Sequence, residues 1–143
     1  LDKYAPSSYT LFVSFGRASK SKKRKSRRFT FTVFGRHGAG GGSTVGGKAN
    51  KVEKMSKVVA NADIYIHSHT HKSIIFPDST YMACNRTKTI REFKRLYVNT
   101  TAFLNYGGYS EDFGFAPETI APIDLILGHD SELNKTISYF GKI

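Results

Sequence analysis

The chain has 143 residues, 39% of them hydrophobic, with 11 Phe and 8 Tyr, which suits a packed core and excludes a wholly disordered chain. Its 22 Lys+Arg against 11 Asp+Glu give a formal charge of +11, which favours anionic partners: nucleic acid, phosphorylated metabolites or acidic membrane surfaces. A lone cysteine, Cys84, excludes an internal disulfide and a Cys-based zinc cluster, and no apolar run approaches the roughly 20 residues that span a membrane.

These features predict a reducing, cytoplasmic setting with no membrane partner. The sequence opens at Leu1 without a signal-peptide pattern, which is expected of a processed product or a fragment. Residues 1–143 are therefore expected to form a single domain or part of one.

Tyr9 to Phe15 is rich in β-formers and predicts a strand. Phe29 to Phe34 alternates Phe31 and Val33 with Thr30 and Thr32 and predicts a second. Between them residues 16–28 read as a basic hairpin loop. Lys20, Lys22, Lys23, Arg24, Lys25, Arg27 and Arg28 place seven cations in nine residues. Such a loop can track a nucleic-acid backbone or phosphate, although no aromatics interleave it for base stacking. The plainer reading is a solvated hairpin tip.

A glycine-rich stretch, Gly35 to Gly47, follows. Ala49, Val52, Met55, Val59 and Ala62 then recur at helical spacing and predict a helix over Lys48 to Asn61 that packs on the core. Gly42 to Ala49 nearly matches a phosphate-binding G-x-x-x-x-G-K-[ST] loop, but Ala49 lacks the hydroxyl that would meet Mg²⁺. A loop that brings backbone close to a metal site is the favoured alternative.

Asp63 to Ile66 predicts a short strand running into His67-Ser68-His69-Thr70-His71. Further strands are expected at Ser73–Phe76, Thr80–Cys84, Lys88–Val98, Ile123–Leu127 and Thr136–Phe140, with turns at Pro77-Asp78 and Gly107-Gly108. Leu127-Gly128-His129-Asp130 reads as a turn. Many strands and one clear helix predict an α+β layered sheet sandwich with a flanking helix and a loop-borne site.

The histidines carry the chemistry. His67, His69 and His71 alternate, and in an extended segment such residues share a face about 7 Å apart at Cα. His37 stands alone in the glycine-rich stretch, one strand and one helix upstream. Neutral imidazoles gathered from two strand ends can hold divalent metal.

This arrangement resembles calcineurin-like metallophosphoesterases, which carry a histidine loop, a helix, a short strand and then G-H-x-H. The matching residues are His37-Gly38, the segment Ala62-Asp63-Ile64-Tyr65-Ile66, and Ser68-His69-Thr70-His71, followed by Tyr97-Val98-Asn99-Thr100-Thr101-Ala102-Phe103. The resemblance spans residues 30 to 110, with Ser68 where the family has glycine. It implies the C-terminal portion of a metallophosphoesterase fold. His37 and His69 would ligate one metal of a two-metal centre (Mn, Zn, Fe or Mg) and His71 the other. It implies hydrolysis of a phosphate ester, with these histidines holding metal rather than attacking. His67 has no role in that pattern and is expected to be exposed.

The family's D-x-H, G-D-x-x-D and G-N-H-D/E motifs are absent. Two close divalent ions need carboxylates to offset their repulsion, so weak or no metal binding, and poor catalysis, are expected of this chain alone. Either the missing half lies outside this chain or a partner supplies it, and an open sheet face or edge predicts self-association. The alternative, from a different class, is a basic nucleic-acid-binding module without catalysis.

Overall fold

The computed structural model describes residues 7–17, 27–38, 44–101, 107–112, 114, 120–132 and 134–141. Five strands form one sheet: β1 (Ser8–Arg17), β2 (Arg27–His37), β3 (Ile64–Ser68), β4 (Ile74–Cys84) and β5 (Thr89–Asn99), in the order β1-β2-β3-β5-β4. The central β2, β3 and β5 run parallel, and the edge strands β1 and β4 are antiparallel to their neighbours. A helix, α1 (Val45–Glu53), continued by a 3-10 turn at Lys54–Lys57, makes the crossover from β2 to β3. A parallel pair needs such a connection. The hairpin of β6 (Ile123–His129) and β7 (Lys135–Gly141) forms a separate two-stranded sheet.

Side-chain alternation divides the core. Phe34, Tyr65 and Tyr97 point to one face, where they meet Val52 and Met55 from α1 and the turn after it, and Ala62 just before β3. Tyr65 stacks on Tyr97, and Tyr97 on Phe76, each at a centroid separation of 5.0 Å. Val33, Ile64, Leu96 and Val98 point to the opposite face, where Leu125, Leu127 and Ile137 of the hairpin pack on them. The sheet is thus covered by a helix on one side and a hairpin on the other, which is an α+β arrangement.

Several expected boundaries shift for physical reasons. The expected turn at Pro77-Asp78 lies inside β4, where Pro77 faces Leu96 in the ladder. An edge strand tolerates proline because one side of it needs no N–H donor. The helix starts at Val45, three residues before the expected Lys48, because Thr44 caps it by accepting from the Gly47 N–H. Gly46, Gly47 and Lys48 are consequently helical, at the N-terminal turn of α1. β2 runs on to His37, held by β1 on one side and β3 on the other. β6 extends through His129, and the turn falls at Asp130, whose carboxylate accepts from the backbone and side chain of Asn134. Of the basic loop, Arg27 and Arg28 belong to β2, while Lys20, Lys22, Lys23, Arg24 and Lys25 lie outside the described residues, as do glycines 40–42.

Candidate metal centre

Three parallel strands end together, and their C-terminal ends carry the candidate site. His37 closes β2 directly opposite Ser68, which closes β3. Past Ser68 the chain is not extended. His69 (φ 73°) and His71 (φ 54°) both take left-handed backbone, which a non-glycine residue adopts at a cost of about 1 kcal/mol. The bends bring the rings together: His37 and His69 have centroids 4.8 Å apart, and His69 and His71 5.7 Å. His37 is exposed, and His69 and His71 are half-buried.

His67 departs from expectation. It is 4% exposed. Extended geometry holds as far as Ser68, so His67 turns to the helix side while His69 and His71 bend away. Its Nδ1 lies 2.9 Å from Asn99 Oδ1. Asn99, fully buried at the end of β5, donates through Nδ2 to Thr70 Oγ1 and to the Lys72 carbonyl. With both amide donors so committed, Oδ1 must accept, and His67 Nδ1 carries the hydrogen. Burial holds the imidazole below its ordinary pKa of 6.5, outweighing the Asn99 bond, and Lys51, Arg36 and His37 repel its charge further. The Thr100 N–H donates to the His67 carbonyl, and the Thr100 hydroxyl bonds Ser68. Asn99 thereby ties β3, β5 and the bend at 69–72 into one frame. Its place after the apolar run Leu96-Tyr97-Val98 is the signal the sequence offers.

The opposite end of the same strands is also polar but self-contained. Asp63, with a side chain 6% exposed, accepts from the Thr32 N–H at 2.8 Å and from Lys135 Nζ at 2.9 Å. Lys135 lies over the Phe31 ring. Sequence reasoning missed this pair, which is 72 residues apart.

Three imidazoles suit a single divalent ion, with exposed rings turning to present their nitrogens. As they stand the rings meet edge to face. Among the described residues, no group of three or more His, Cys, Asp or Glu side chains is arranged to hold a metal. Asp63 is committed at the far end. The described residues by themselves do not assemble the donors of a two-metal centre. Arg27 and Arg28 stand at the start of β2, about 30 Å along the strand from His37 at about 3.3 Å per residue, so the structure does not join these two residues to the histidines. No helix among the described residues is long and apolar enough to cross a membrane. Comparisons with protein-family models, with curated proteins and with solved structures found no match for this chain.

Proposed function

We propose that this chain is the C-terminal, metal-ligating portion of a metal-dependent phosphoesterase of the calcineurin-like type. The observation that carries the reading is the convergence of His37, His69 and His71 at the C-terminal ends of parallel β2 and β3, with left-handed backbone at two of the three. Strained backbone in non-glycine residues marks functional segments more often than scaffolding. The bound metal would supply an activated water and charge neutralisation at phosphorus. The chain's own residues hold the imidazoles in place through the Asn99 frame.

The missing carboxylates come from further polypeptide or a partner. The edge strand β1 supports this, since Tyr9, Leu11 and Phe12 are each more than half exposed on a strand with one open side. A second copy is the other occupant that such an edge admits.

The test is hydrolysis of an aryl phosphate diester and monoester by the native-length protein with Mn²⁺. The reading expects metal-dependent turnover that falls at least about a hundredfold in His69→Ala. Metal-independent hydrolysis, or turnover indifferent to His37, His69 and His71, contradicts it.

A second reading, a basic nucleic-acid-binding module, is supported by the two long hairpins. β2 runs six residues, and β5 seven, before either pairs with β3. Both arms thus project from the end opposite the histidines, and they carry Arg28, Arg86, Lys88, Arg91 and Lys94 exposed. That reading expects DNA or RNA binding that weakens steeply with salt and is indifferent to His37, His69 and His71.

A further inference from the structure

On the helix side of the sheet, beside the histidine cluster, a cleft of about 260 Å³ opens between β2, β3 and α1 with the turn after it. It is lined by Arg36, Gly38, Lys51, Lys54, Met55 and His67. Three of these are cations and none is a carboxylate. Arg36 faces His67 across the β2–β3 ladder, while Lys51 and Lys54 stand three residues apart, at the end of α1 and the start of the turn that follows. Side chains at that spacing share a helical face.

A buried polar side chain, His67, is part of the cleft lining. Asn99 fixes the hydrogen of His67 on Nδ1, so Nε2 offers a lone pair. That nitrogen packs against Gly38 so closely that a Cβ there would stand 2.1 Å from it. Glycine at 38 is what leaves the ring room. A metal cation is the wrong occupant for this lone pair, because Arg36, Lys51 and Lys54 line the same cleft. The ligand that matches has several negative oxygens for the three cations and one O–H for the imidazole.

We infer that the Arg36–Lys51–Lys54–His67 cleft is an oxyanion site that takes a phosphate group bearing a hydrogen, as in hydrogen phosphate or the monoanion of a phosphomonoester. Arg36 gives the planar, bidentate contact, the lysines give point charges, and His67 Nε2 accepts from the phosphate O–H. The site needs neither metal nor hydrolysis, so it stands independently of the phosphoesterase reading.

The experiment is calorimetric titration of the 143-residue chain with inorganic phosphate in the presence of EDTA, with sulfate as the comparison anion, which carries no hydrogen at neutral pH. Phosphate is expected to bind saturably and more tightly than sulfate. Arg36→Gln and Lys54→Gln are each expected to weaken it about tenfold, the scale of one charge-assisted hydrogen bond. Lys57→Gln, on the same turn but outside the cleft, is expected to change nothing. No saturable binding, equal affinity for sulfate, or an equal loss in Lys57→Gln would each overturn the assignment, the last by showing that diffuse positive charge is responsible.

Discussion

The two ends of the parallel strands are built from similar materials and do different things. At the N-terminal end Asp63, Thr32 and Lys135 satisfy one another, and the result is a bolt between the sheet and the β6–β7 hairpin. At the C-terminal end Asn99 joins His67, Thr70 and the Lys72 carbonyl, but this network leaves His67 Nε2 open and holds up a bend whose half-buried histidines take left-handed backbone. Polar groups that close on each other stabilise. Polar groups that brace strained, partly accessible donors prepare a site.

The strongest way to break that comparison is Asn99→Ala. It leaves the His67 N–H and the Lys72 carbonyl without their partner in a buried frame, and an expected loss of about 2–4 kcal/mol follows. Urea denaturation measures it, and the imidazole resonances of His69 and His71 should shift because their bend loses its anchor. Asp63→Ala should cost less, about 1–3 kcal/mol, since Lys135 keeps access to water. It should leave those resonances alone, and a change in them would show that the two ends are not independent.

A smaller effect has the opposite sign. His69→Gly and His71→Gly relieve left-handed backbone and are each expected to stabilise the apo chain by about 0.5–1 kcal/mol while removing a ligand. A loss of stability in both would mean that the rings pack for structure rather than for binding.

The pH dependence is the mildest signature. The folded-state pKa of His67 lies below 6.5 because burial disfavours its charge, so the unfolded chain binds the proton more tightly. Stability from this group is fully present above 6.5 and is lost as pH falls below it. Chemical denaturation of the apo chain across pH 5 to 8, as an order-of-magnitude window around the His transition, should show that fall, and Asn99→Ala should alter it.

Much of this was legible in the sequence. The alternation of Phe31 and Val33 and the helical stripe through Val52 and Met55 follow from periodicity, whereas singling out His37, His69 and His71 rests on the family resemblance. Less legible was whatever depends on a partner far along the chain. Pro77 reads as a turn until β4 is known to be an edge. His67 reads as one more exposed histidine until Asn99, 32 residues on, is known to face it. The cleft of Arg36, Lys51 and Lys54 was hidden because β2 was expected to stop at Phe34, which would have left Arg36 in a loop.

The measurement that bears most directly on the central claim is a Zn²⁺ titration of this chain followed by imidazole nitrogen NMR, which detects even weak binding. The account predicts that His37, His69 and His71 shift together along one saturating curve, while His129, stacked on Phe29 in another part of the fold, does not move. Shifts confined to His129, or spread equally over all five histidines, would contradict a metal site at the strand ends.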